Sequence, residues 1–110
     1  RFFFDFVARA RRAGIDLPIL PGVMPIYTEK MTKFLAKLCG ATITPEIKKG
    51  LAGIAEDDKS AVLQFGIDYA YQQCKGLLDA GVPGVHMYTM DRSKSVVEII
   101  SRLRDEGYTL

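Results

Sequence analysis

No apolar run in the sequence approaches the ~20 residues that cross a bilayer, and the opening RFFFDFVARARR lacks the small-residue cleavage site of a signal peptide. No membrane association is expected. Histidine occurs once, at His86, and cysteine twice, at Cys39 and Cys74. With no CxxC and no Cys/His ligand spacing, the expectation is no metal site and a reduced thiol pair of the kind found in a cytoplasmic protein. A dominant charge is lacking too: 15 Lys plus Arg against 13 Asp plus Glu leave a formal +2, too little to argue for a nucleic-acid surface. The signatures GxxxxGK(S/T), GxGxxG after a strand, GxSxG and HExxH are all absent. Residue chemistry alone names no reaction.

What is present is a core and a rhythm. A chain of 110 residues with 48% hydrophobic content can bury one compact core. RFFF is an aromatic run that fits a strand buried on both faces, with Asp5 at its end. Because it opens without an initiator methionine or a preceding turn, the sequence is expected to be a piece of something larger. FDFVARARRAGI then gives a helix with Phe6, Val7, Ala10 and Ala13 on one side, Arg9, Arg11 and Arg12 on the other, and Gly14 as its stop. LPILPGVMPIY predicts a second buried strand over Leu17, Ile19 and Leu20, terminated by Pro21 and Gly22.

Helices follow in series. Thr28 caps a segment whose apolar stripe is Met31, Phe34, Leu35 and Leu38, ended by Gly40. Thr44, Pro45 and Glu46 open a short helix. DKSAVLQFGIDYAYQQCKGLLDAG is the longest helical pattern, with Val62, Phe65, Ile67, Ala70, Cys74, Leu77 and Leu78 on its apolar face. Val82 to Met87 read as a buried final strand with His86 structural, and RSKSVVEIISRLRDEG as a last helix burying Val96, Val97, Ile100 and Leu103. Buried strands alternating with amphipathic helices indicate parallel βαβ units. Three such strands cannot cover their own edges, which leaves an incomplete doubly wound sheet or the tail of a (β/α)8 barrel. The barrel is preferred, because polar and aromatic residues gather where strands end: Asp5, PGVMPIY and MYTMDR.

The ordered pair GI-x-x-PI-x-PG-x-x-PI and GV-x-G-x-H-x-YT, with FFFD before them and CGATIT and GIDYAYQQCKGLLDAG between, resembles the C-terminal part of methylenetetrahydrofolate reductase over essentially the whole chain. The resemblance implies that residues 1–110 are the C-terminal portion, some three βα units, of one TIM barrel whose N-terminal part lies outside the sequence. It implies an oxidoreductase of folate one-carbon metabolism that reduces 5,10-methylenetetrahydrofolate to 5-methyltetrahydrofolate. FAD takes hydride from NADH or NADPH, the nucleotide leaves, and the folate takes its place. One pocket must then hold two flat ligands in turn, which apolar and aromatic walls permit.

Carried over position by position, the family pattern puts Tyr88, Met90 and Arg92 at the pocket rim, with Arg92 as the cation for a carboxylate or phosphate. Solvated helix-end arginine is the alternative for Arg92. Arg1 stands where the family has a substrate-contacting glutamine before its strand end, and Met31 and Leu35 stand where it can have glutamine and phenylalanine. Met31 and Leu35 also fit their helix's apolar stripe, so packing and substrate contact both stay open. The family has a longer segment between FFFD and the following helix than is found here. No catalytic group falls in this segment, the flavin contacts lie outside it, and the fragment alone is expected to be inactive. Two alternatives remain: a diverged barrel homologue serving as a folate- or nucleotide-binding or scaffold module, and an aldolase-like barrel, which would need a strand-end lysine that is not seen here. Homo-oligomerisation is left open.

Overall fold

A computed structural model describes residues 2–55 and 57–109. Two short strands, β1 (Gly22–Val23) and β2 (His86–Met87), run parallel with Gly22 opposite His86 and Val23 opposite Met87. The ladder continues past both ends, from His86 N–H to the Pro21 carbonyl (2.9 Å) and from Tyr88 N–H to the Val23 carbonyl (3.0 Å). Parallel neighbours need a long crossover. Here it is helical: α2 (Glu29–Cys39), α3 (Pro45–Ala52) and α4 (Lys59–Asp79), with α1 (Phe2–Arg12) before β1 and α5 (Ser93–Asp105) after β2.

The crossover helices begin where local chemistry says they should. Thr28 accepts from Met31 N–H at 3.0 Å, Thr44 from Ile47 N–H at 3.4 Å with Pro45 next in line, and Asp58 from Ala61 N–H at 3.0 Å. Each cap satisfies one of the orphan amides of a first turn. Gly40 closes α2 in the left-handed region at φ 67°, where a side chain would be strained.

α4 organises the rest. On one side Ile67, Ala70, Tyr71 and Cys74 pack with Val23, Ile99 and Leu103; further toward its start, Val62 joins Ile26 and Leu51. Its approach to the chain after β1 is so close that a Cβ built on Gly66 would lie 1.9 Å from the Ile26 carbonyl oxygen. α5 is pinned across α4 by Arg102, whose guanidinium is 2.7 Å from Asp68 and 4.0 Å from the centroid of the Tyr71 ring. Tyr108 donates to Asp79, a bond that pushes its phenol up to about 12. The radius of gyration, 14.9 Å, exceeds the about 13 Å expected of a compact domain this long. A two-stranded sheet with helices alongside cannot close a core around itself.

Several expectations are corrected. Phe2 to Phe4 and Asp5 are not a strand and its end: they are the first turns of α1, which runs unbroken through Phe6 to Arg12. The backbone is unbroken across Asp5 and Phe6, and FFFD belongs to the helix rather than preceding it. Leu17 and Leu20 are exposed and Ile19 half-buried, and the strand forms after Pro21, at Gly22 and Val23. Pro21 does not end a strand but offers its carbonyl to the ladder, a role that needs no N–H. The final strand is only His86–Met87, and His86 is exposed rather than buried. In α2 the stripe splits, with Met31 and Leu35 half-buried but Phe34 and Leu38 exposed. In α5 Val96 and Leu103 are buried as expected, together with Ser95 and Ile99, while Ile100 is half-buried and Val97 faces out.

Two measurements check this packing. Alanine normally stabilises a helix by about 1 kcal/mol over glycine, but Gly66→Ala must push α4 off a backbone carbonyl, so about 3 kcal/mol of destabilisation is expected in a denaturant titration. A neutral or stabilising outcome contradicts the close approach. Burial pushes the Cys74 thiol up to about 11, whereas Cys39 is exposed. Alkylation at pH 8 with peptide mapping should therefore mark Cys39 alone until the protein is unfolded; equal labelling of both contradicts it.

Candidate functional site

Because the strands are parallel, the segments leaving their carboxyl ends adjoin. Met24 to Thr28 leave β1 toward α2, and Tyr88 to Arg92 leave β2 toward α5. They are joined directly: the Tyr27 hydroxyl donates to the Tyr88 carbonyl at 2.9 Å. Tyr27 is 2% exposed. Burial raises its phenol above the ordinary value more than the nearby Arg92 charge lowers it, so the hydroxyl remains a neutral donor at working pH.

A cavity of ≈ 570 Å³ opens beside this junction, within the range of about 300–1,000 Å³ usual for small-molecule sites. Met24, Leu35, Cys39, Tyr69, Tyr88 and Met90 are among its walls, and no charged side chain lines it. The Tyr88 ring lies over Gly22, where a Cβ would come within 2.7 Å of it, and meets the His86 ring edge-on at 4.7 Å between centroids. Such walls stack against flat rings without demanding one hydrogen-bond pattern. On the other side, Tyr27 lines a cleft of ≈ 450 Å³ with Glu29, Lys30, Lys33 and Lys59.

The loop between cavity and α5 is locally unfavourable three times over. Met90 and Asp91 are in the left-handed region, at φ 49° and 59°, which costs about 1 kcal/mol each for a side-chain-bearing residue. Arg92 occupies the N-cap of α5 without any capping hydrogen bond. A cation there opposes the helix dipole by about 0.5 kcal/mol instead of satisfying it. What the loop has in return is the Arg92 N–H bond to the Thr89 carbonyl (2.8 Å), the Tyr27 bond, and the Arg92 guanidinium set 5.8 Å from the centroid of the Tyr27 ring. Chemically, the end of this loop offers an anion both a guanidinium and the uncapped amides of a helix start.

The residues singled out from sequence distribute as follows. Tyr88, Met90 and Leu35 line the cavity. Arg92 lies two residues beyond Met90, against Tyr27 rather than in the cavity wall. Met31, half-buried on the first turn of α2, is not among the lining residues. Arg1 lies outside the described residues, and the strand whose end it was to mark is helix from Phe2 onward. Sequence reasoning passed over Tyr27. Its one local signal is its place just before the Thr28 cap, where an apolar side chain often anchors a helix entry.

Similarity to known proteins bears on the same segments. The methylenetetrahydrofolate reductase family model matches residues 1–104. The chain belongs to that family. Methylenetetrahydrofolate reductase relatives include a protein of Caenorhabditis elegans named as a probable NADPH enzyme, 40% identical over 102 residues that cover 92% of this chain and 15% of the relative. An Arabidopsis thaliana protein named as an NADH enzyme is 37% identical, over 92% of this chain and 17% of its own length. The 5,10-methylenetetrahydrofolate reductase of Escherichia coli is 31% identical, over 86% of this chain and 33% of its own. The chain thus spans a third or less of the curated relatives it matches.

Proposed function

We propose that this chain is the last part of a (β/α)8 barrel that reduces 5,10-methylenetetrahydrofolate to 5-methyltetrahydrofolate with NADH or NADPH. The parallel β1–β2 pairing with a helical crossover, and family membership over residues 1–104, support the barrel. The single observation that carries the site is the uncharged, aromatic-walled cavity at the carboxyl end of β1 and β2, with Arg92 just beyond its edge.

In this reading the pteridine and the nicotinamide ring take turns against the Tyr88, Met90 and Leu35 walls, where apolar contact does not discriminate between ring edges. Arg92 receives the anionic end of the ligand, a carboxylate of the folate or a phosphate of the nucleotide, assisted by the open amides of α5. Met31, half-buried on the first turn of α2, adds to the slope leading into the cavity, and Arg1 keeps only the substrate contact that the family resemblance implies.

FAD, which the family resemblance implies, does not fit this cavity. Among the described residues its polar side chains are Thr32, Cys39, Thr42, Tyr69, Gln73 and Tyr88, with no cation and no glycine-rich turn for a pyrophosphate. We therefore assign the flavin and the proton donor to other strands of the barrel and derive no step through them. The free thiols of Cys39 and Cys74 support a reducing, cytoplasmic setting for an enzyme that supplies methyl groups toward methionine.

The intact enzyme should show the yellow absorption of a bound flavin. Arg92→Ala in it should raise the Michaelis constant for folate or nucleotide by about tenfold to a hundredfold, the scale of one lost charge-assisted contact, with thermal stability little changed. A collapse in stability with unchanged Michaelis constants returns Arg92 to a structural role.

A further inference from the structure

We infer that Tyr27 is a positioning residue for the substrate rim: through one hydroxyl bond and one ring face it holds the Tyr88–Arg92 loop in the conformation that presents Arg92. This rests on the reading of Arg92 as the receptor of an anionic ligand end, and adds a residue that itself touches no ligand in that scheme.

Three independent observations converge. First, the loop is held against its own preferences, with Met90 and Asp91 both left-handed. Such strain persists only where surroundings over-determine it. Secondly, Arg92 occupies a position at which its charge disfavours the helix it starts, and its side chain makes no cap. Its aromatic neighbour across the strand ends is Tyr27. Thirdly, the Tyr27 hydroxyl spans 61 residues of sequence to reach the Tyr88 carbonyl, the peptide unit that leads into the strained pair. One buried side chain from the β1 exit thus fixes both ends of the β2 exit loop, its first carbonyl and its last guanidinium.

A purely structural role would show as a loss of global stability, and a positioning role shows elsewhere. Tyr27→Phe keeps the buried ring and removes only the bond to the Tyr88 carbonyl. Global stability should then hardly move, while the loop, which has little else to hold it, should loosen.

The test uses the intact enzyme and the variants Tyr27→Phe, Tyr27→Leu, Arg92→Ala and the double variant Tyr27→Leu/Arg92→Ala. Amide hydrogen exchange at Tyr88 to Arg92 is read alongside steady-state kinetics and thermal denaturation. Tyr27→Phe should speed exchange at the Arg92 amide about tenfold and raise the Michaelis constant for the anionic ligand about threefold to tenfold, with kcat within twofold and the melting temperature nearly unchanged. Tyr27→Leu, which also removes the ring face, should approach the effect of Arg92→Ala. The double variant should bind no worse than Arg92→Ala alone, because a residue that acts through Arg92 has nothing left to position. Unchanged exchange in both Tyr27 variants overturns the inference, as does a double variant whose defects simply add. If Arg92→Ala leaves every Michaelis constant unchanged, the ligand reading of Arg92 fails by itself, and the exchange data still decide whether Tyr27 holds the loop. Should Tyr27→Leu not fold, Tyr27→Phe carries the exchange and kinetic arms alone.

Discussion

The contact on which the structure depends is the one between Gly66 in the middle of α4 and the backbone of Ile26 just beyond β1. There is no room there for a single methyl group. With helix and strand exit in backbone contact, the residues on either side of Gly66 are committed. Val62 falls among Ile26 and Leu51, and Ile67, Ala70, Tyr71 and Cys74 fall among Val23, Ile99 and Leu103. The two hydrophobic clusters are therefore consequences of one close approach, and they set where α5, and through it β2, must lie. A larger residue at the same point would lengthen the contact by more than the interior can absorb, since protein cores pack at crystal-like density.

The same approach fixes the site. Ile26 is the neighbour of Tyr27, so the helix that clamps one also sets the depth of the other. From that buried position Tyr27 reaches the Tyr88 carbonyl and offers its ring to Arg92. The cavity beside them owes its shape to glycine as well: Gly22 lets the Tyr88 ring lie flat over the strand start, and Gly66 itself is among the lining residues. Cavity and core share one set of constraints, while the unfavourable local choices are concentrated in Met90, Asp91 and Arg92. That separation is what a binding rim on a stable scaffold looks like.

The helices of the crossover were legible because their signals are local. Thr28 and Thr44 with Pro45 each cap the amide that sequence spacing implies, and Asp58, not singled out beforehand, does the same for α4. Strands were not legible in the same way. Phe2 to Phe4 have the propensity of a strand, yet they begin α1. Aromatic propensity is a weak bias that neighbouring helix-formers such as Ala8, Arg9 and Ala10 outweigh. Leu17, Ile19 and Leu20 likewise suggest a buried strand, but pairing occurs at Gly22 and Val23, of which Val23 packs against α4. Tyr88, Met90 and Leu35 of the cavity wall could be singled out beforehand, through the family pattern they fall on. Tyr27 could not, because its partners are remote in the chain.

The sequence by itself determined the helical crossover, its caps and stops, the absence of familiar catalytic signatures, and the ordered motifs that carry family resemblance. All of these are written in residues a few positions apart. Tertiary structure alone decided which residues form the strands, which apolar side chains remain exposed, and that a tyrosine before α2 should hold an arginine before α5. Those outcomes turn on contacts between segments about 60 residues apart and on clearances smaller than a methyl group. Local propensities of about 1 kcal/mol or less do not specify either.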